Sequence, residues 1–233
     1  MHQWIWQAQQ WPEFSWQDAQ IAPQLAQVQT DIDVLMAKAG VHTSEQTQLD
    51  TLLQNIISSS LIEGEQISAE SVRSSLAKRL GLEHREPTTD RSEGLAQLMM
   101  DVIDHSQAPL TLKRLYQWHE WLFPVDEFLV QKINVGALRG SEPMQVISGR
   151  LDRPNVHFEA PPRVGLEEQL QQFIDWFNTT AQDASINPII RAGITHFWFI
   201  TLHPFDDGNG RMARALTDLA LAQSDSQSVR LFS

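Results

Sequence analysis

Between Asn187 and Pro204 the chain carries a run that only a buried helix suits. Ile189, Ile190, Gly193, Ile194, Phe197, Trp198, Ile200 and Thr201 occupy nearly every face at a helical repeat, so the segment is expected to be the central, most buried helix of the molecule. Its bounds are legible too. Asn187 is an N-cap residue type and Pro188 suits the first helical position, while Pro204 disfavours helix at His203. The rest of the chain repeats the helical period. Apolar residues recur at i, i+3 and i+4 over 23–39, 44–58, 68–82, 92–106, 111–123, 164–178 and 210–222, which predicts a mainly α fold. Residues 134–162 are the exception. Gly136, Gly140, Pro143, Gly149 and Pro154 punctuate two extended runs, Met144–Ser148 and Asn155–Glu159, which predict one β-hairpin with a long connection. A lone hairpin must lean on the helices.

The stretch His203-Pro204-Phe205-Asp206-Asp207-Gly208-Asn209-Gly210-Arg211-Met212-Ala213-Arg214 follows the central helix. Gly208 and Gly210 allow a sharp turn and a close backbone approach to a ligand. A second helix can begin near Asn209 with its free N–H groups toward an anion. Arg211 can grip phosphate oxygens in bidentate fashion, and Asp207 can hold Mg2+ while a substrate's phosphates supply other ligands. His203 can accept a proton near neutral pH. Each residue alone is compatible with an ordinary polar helix corner. Their contiguous order points to chemistry on a nucleoside triphosphate.

These residues fit the pattern H-P-F-x-[DE]-G-N-[GK]-R without a mismatch and so resemble the active-site motif of the Fic family. The resemblance implies a Fic-type helical bundle with a hairpin flap, acting as a protein adenylyltransferase that moves AMP from ATP to a Tyr, Thr or Ser hydroxyl. It implies His203 as general base, Asp207 as the Mg2+ ligand, backbone amides of Gly208, Asn209 and Gly210 as a phosphate cradle, and Arg211 and Arg214 on the phosphates. The target protein would lie along the hairpin, residues 144–159, by strand addition. Gly136-x-x-Arg139 and Pro161-Pro162 resemble the family pattern on either side.

Upstream, Ser59-x-x-x-Glu63-Gly64 is similar to the inhibitory motif [ST]-x-x-x-E-[GN] of many Fic proteins. Read alone it is a helix C-terminus closed by Gly64, with Glu63 at the end the macrodipole disfavours. The resemblance implies that Glu63 pairs with Arg214 where a γ-phosphate needs to lie. Trp4, Trp6, Trp11, Phe14 and Trp16 crowd residues 1–22, with no Lys or Arg among them. They are expected to pack against the body of the protein rather than a bilayer, and resemble the short N-terminal module of larger Fic proteins. His119 and His196, on apolar helix faces, read as hydrogen-bonded core residues. The predicted organisation is 1–40 Trp-rich module, 41–90 inhibitory helix region and 91–233 catalytic core. The chain stops at Ser233, earlier than the resemblance implies for a Fic core.

Composition narrows the partners. With 17 basic and 29 acidic residues the formal charge is −12, which disfavours binding nucleic acid through its phosphates. No cysteine is present, which excludes disulfides and permits a cytoplasmic location. The N-terminus lacks the basic and apolar regions of a secretory signal, and no apolar run approaches a membrane span. A homodimer is possible. Three alternatives stay open: removal of AMP from a modified target, a phosphotransferase in which Lys typically stands in place of Gly210, and a catalytically silent interaction module.

Overall fold

The computed structural model describes residues 4–39, 45–83, 86–124, 133–150 and 153–224. Among them eight α-helices and one hairpin follow in the order α1 (Asp18–Ala39), α2 (Glu45–Ile62), α3 (Ala69–Arg79), α4 (Asp90–Asp104), α5 (Leu112–Leu122), β1 (Gln145–Arg150), β2 (Arg153–Glu159), α6 (Leu166–Thr179), α7 (Pro188–Leu202) and α8 (Asn209–Ser224). The fold is mainly α, as the periodicity predicts.

Caps explain most of the boundaries. Ser68 accepts the Ser71 amide, Thr111 the Arg114 amide and Asn187 the Ile189 amide, each satisfying a donor the helix leaves open. The helix expected from Ser92 begins two residues earlier, because Thr89 caps it and Ser92 is the third helical residue of a reciprocal capping box. α1 begins at Asp18, so Pro23 lies inside it rather than at its opening.

α7 packs on α8 and α6, and α4 lies against α3, α5 and α8, while α2 covers α3, α4 and α8. Phe173, Phe177, Phe199, Leu202, Phe205, Met212, Leu216 and Leu219 meet between α6, α7 and α8 with essentially no exposure. The central helix is not buried all round, however. Gly193 and Phe197 face solvent, and the inward face is Ala192, Thr195, Trp198, Phe199 and Leu202 together with a charge, Arg191. That guanidinium replaces a carboxylate partner with helix ends: it donates to the carbonyls of Phe177 and Ala220, to Thr180 Oγ1 and to Gln223 Oε1. The carbonyls at the ends of α6 and α8 carry the negative pole of each helix. Burial still pulls its pKa down to about 10.

The two strands pair antiparallel from Gln145↔Glu159 to Arg150↔Arg153, with a register shift between Val146 and Ile147. The connection is thus only residues 151–152 rather than the long one expected. Pro154 sits within β2 opposite Gly149. A two-stranded sheet has only edge strands, and an edge tolerates proline. Four of the five N-terminal aromatics pack inward as predicted: Trp6 Nε1 donates to the Glu159 carbonyl at 2.7 Å, Trp4 meets Phe158 edge-on, and Trp11 and Phe14 meet Trp198, whereas Trp16 stays exposed and donates to Asp18.

Candidate active site

The site is built where α7 ends and α8 begins. His203 is the C-cap of α7 and the one non-glycine among the described residues in the left-handed region, with φ 47°. Its carbonyl accepts Arg139 Nε at 2.8 Å, the Arg139 amide donates to the Pro204 carbonyl at 2.9 Å, and Arg139 Nη2 reaches the Pro161 carbonyl. Arg139, 2 % exposed, therefore clamps the end of α7 to both flanks of the hairpin. The strained turn at His203 is held from outside.

The imidazole is oriented as well. Nδ1 lies 3.1 Å from the Ile200 carbonyl. A carbonyl only accepts, so the neutral ring carries its proton on Nδ1 and its lone pair on Nε2. Burial lowers the His203 pKa below the ordinary histidine value, the Ile200 bond opposing it. The ring is thus a neutral base at neutral pH.

Asn209, 2 % exposed, accepts the Phe205 amide at 3.0 Å and donates to the Phe205 carbonyl at 2.9 Å. Its side chain locks the turn, leaving only its amide for an anion. His119 works from the other side. It accepts the Gly136 amide on Nδ1, its Nε2 lies 3.2 Å from the Asp207 carbonyl, and it stacks on Phe205 at 4.3 Å. His196 has Nδ1 3.1 Å from Thr217 Oγ1. Both are hydrogen-bonded, His119 in the core and His196 half-buried at its edge. Asp206 accepts from the amide and side chain of Asn134, fixing the loop before the hairpin to the site.

Asp207 is the exposed carboxylate of the turn, its side chain 58 % accessible. One oxygen accepts the Gly208 amide at 2.5 Å, so that amide is already engaged and the open donors are the first amides of α8, from Asn209 onward. Gly208 has φ 77°, and a Cβ there would press on the Phe123 ring. Among the described residues no group of three or more His, Asp or Glu could hold a metal. A single solvent-facing carboxylate beside a helix N-terminus would suit Mg2+ only as one ligand among several, the rest supplied by water and phosphate.

The predicted inhibitory residue, Glu63, stands against the N-terminal turn of α8. Gly64 has φ 73°, and the Glu65 and Gly64 amides return to the Ser60 and Leu61 carbonyls, a Schellman end to α2. Glu63 is thereby aimed across to α8: its Oε1 accepts Arg214 Nη2 at 2.7 Å, and a Cβ on Gly210 would collide with that same oxygen. Arg214 is held further by Ser59, with Nε on its Oγ at 2.8 Å and Nη2 on its carbonyl at 3.1 Å. The negative end of α2 thus meets the positive end of α8, which answers the unfavourable placement of Glu63 on its own helix.

Sequence reasoning missed Glu65. Its carboxylate pairs with Arg211 Nη1 at 2.9 Å and Arg91 Nη2 at 2.5 Å. Arg211 itself is 4 % exposed, lies over the Phe123 ring, and its Nε is buried without a protein partner among the described residues. The one signal was a second acid two residues past Glu63, separated from it by the capping glycine.

The fold and this geometry define a class: a helical bundle that sets a half-buried histidine, a turn carboxylate and two arginines around a helix N-terminus below a hairpin. Residues 109–221 match the Fic/DOC family and residues 4–82 a domain of unknown function, DUF4172. The chain carries a Fic/DOC domain. It is 27% identical over 180 residues to the protein adenylyltransferase Fic of Drosophila willistoni, covering 75% of this chain and 33% of that one. The Caenorhabditis elegans adenylyltransferase fic-1 is 46% identical over 57 residues, 24% of this chain and 11% of its own. A uridine 5'-monophosphate transferase of Xanthomonas campestris is 28% identical over 127 residues, 49% of this chain and 21% of its own. The chain thus spans a third or less of each of these relatives. Among solved structures, a Fic family protein of Desulfovibrio desulfuricans superposes with TM-score 0.60 at 21% identity, over 91% of this chain and 59% of that one. A Fic-domain protein of Bacteroides thetaiotaomicron does so with TM-score 0.61 at 20% identity, over 85% and 72%. They share the fold.

Proposed function

We propose that the chain is a protein adenylyltransferase held in check by Glu63. The observation that carries this reading is the Glu63 carboxylate on Arg214 and against Gly210, at the helix N-terminus where a nucleotide's phosphates would lie. The named relatives that are adenylyltransferases support the choice of AMP.

In this reading ATP lays its phosphates along the first amides of α8. Arg211 neutralises charge on them, and Arg214 does so once Glu63 withdraws. Asp207 would hold Mg2+, which when bound supplies charge neutralisation between the phosphates. A Tyr, Thr or Ser hydroxyl of a target lying along β1 or β2 gives its proton to His203 Nε2. Its oxygen bonds to the α-phosphorus as the bond from that phosphorus to the bridging oxygen breaks, and pyrophosphate leaves. Positioning and charge stabilisation supply most of the rate, with one general base. Val146 and Ile147, each 45% exposed, give an extended target apolar contacts beside main-chain pairing. Among the described residues no helix is long and apolar enough to cross a membrane, and a cytoplasmic protein without cysteine suits the reading.

The Glu63–Arg214 pair is a third to a quarter exposed, and such pairs are individually weak. Inhibition therefore acts by occupying the cradle. If the closed arrangement is favoured 99:1, removing the carboxylate raises the competent fraction by up to ~100-fold. Glu63→Gly should bind Mg·ATP more tightly by calorimetry and label protein faster than the unaltered chain. Equal binding and equal labelling would sink the autoinhibition.

A further inference from the structure

The turn that carries Glu63 carries a second carboxylate, and the two divide the motif arginines between them. Glu63 takes Arg214. Glu65 takes Arg211, and takes it by one edge only: Nη1 lies 2.9 Å and 3.0 Å from the two Glu65 oxygens. Nη2 is left on the Asp207 side, 3.9 Å from that carboxylate. A guanidinium is planar, so fixing one edge and seating the plane over Phe123, 4.9 Å from the ring centroid, fixes where the other edge points.

Glu65 is itself over-determined. Its amide returns to the Ser60 carbonyl at 3.0 Å, and Arg91 of α4 holds the carboxylate from outside the site. The one-sided grip keeps Nη2 clear of Glu65, beside the Asp207 carboxylate. It also spares Glu65 from competing with phosphate for Arg211, because the two ligands use different edges.

We propose that Glu65 is a positioning residue for Arg211, holding its Nη1 so that Nη2 is presented to the phosphates beside Asp207, with Glu63 in the cradle or out of it. This deepens the nucleotidyl-transfer reading and rests on it. The two neighbouring acids then have opposite effects: losing Glu63 frees the site, and losing Glu65 loosens an arginine the site needs.

The test uses the full chain with Glu63→Gly as reference, so that release of inhibition is constant. Glu65→Gln keeps the shape and removes the charge. It should raise KM for Mg·ATP by 10-fold or more and weaken binding of inorganic tripolyphosphate to the same degree, with thermal midpoint and binding of adenosine little changed. Glu65→Asp should recover part of the loss. Unchanged KM and tripolyphosphate affinity in Glu65→Gln would overturn the proposal. So would faster labelling, which would make Glu65 a second inhibitory contact. Parallel loss of adenosine and tripolyphosphate binding with a lowered midpoint would overturn it too, as a purely structural role. Failure of the Glu63→Gly reference itself to bind Mg·ATP would instead remove the nucleotide reading on which the proposal stands.

Discussion

Asp218 sits on α8 one turn beyond Arg214, and its carboxylate accepts Asn55 Nδ2 of α2 at 3.1 Å. It links α2 directly to α8. Burial pushes its pKa up to about 6 from the ordinary 3.8, with the Asn55 bond and the Arg214 charge pulling the other way. The sign follows from that order. Below about pH 3.8 both the folded and the unfolded chain hold the proton and nothing is gained or lost. Between that value and about 6 the unfolded chain releases it first, so stability falls as pH rises. Above about 6 the folded protein carries the whole penalty. Each pH unit between the two values is worth roughly 1.4 kcal/mol, which makes that penalty up to about 3 kcal/mol. Asp218→Asn keeps an oxygen for Asn55 and removes the charge. Urea unfolding at pH 8 should show the variant more stable by up to about 3 kcal/mol, and at pH 4 the gain should have almost vanished. A variant no more stable than the unaltered chain at pH 8, or equally advantaged at pH 4, would refute the reasoning.

Two further expectations follow from single buried groups. Arg191→Ala takes a donor from Gln223 Oε1 and from the Phe177 and Ala220 carbonyls, which keep Thr180 Oγ1 at 3.5 Å and Ser224 Oγ at 3.1 Å, and it empties a site only 1 % exposed. At about 1–3 kcal/mol for a buried acceptor left unpaired, together with the cavity the side chain leaves, a destabilisation of about 2 kcal/mol or more is expected, read by urea unfolding; a loss under ~1 kcal/mol would contradict the assigned role. Because burial lowers the His203 pKa, the acid limb of labelling activity should lie below the ordinary histidine value of 6.5. An acid limb at or above that value would mean that another group titrates.

How much of this was legible in the sequence depends on whether a residue's role is set by its neighbours along the chain or across it. Asn187 reads as a cap because capping is decided within three residues. The motif's order could be read because a turn between two helices is local. Glu63 was legible only through its resemblance to a known motif, since nothing within α2 shows that α8 lies opposite. Glu65, Arg91 and Asp218 were not singled out. Their partners are 146, 26 and 163 residues away in sequence, and an acid on a helix end or an amphipathic face reads as solvated until packing covers it. Arg191 failed for the same reason: one charge in an apolar run looks like the exposed face, and only the convergence of two helix ends buries it. The expectation of a long connection fails because Gly149 and Pro154 read as punctuation along the chain, although a two-stranded sheet accepts both.

The central claim is transfer of a nucleotidyl group by His203 at a cradle that Glu63 blocks. The most direct measurement is protein labelling, with a cell extract supplying acceptor hydroxyls, from α-32P-ATP, α-32P-UTP and γ-32P-ATP. The unaltered chain, Glu63→Gly and Glu63→Gly with His203→Ala would be compared. The account predicts label from α-32P-ATP alone, strongest in Glu63→Gly, and reduced ~100- to 10,000-fold when His203 is also replaced, as expected for loss of a general base. Label from UTP instead would change the transferred group. Label from the γ position, or labelling indifferent to His203, would contradict the account.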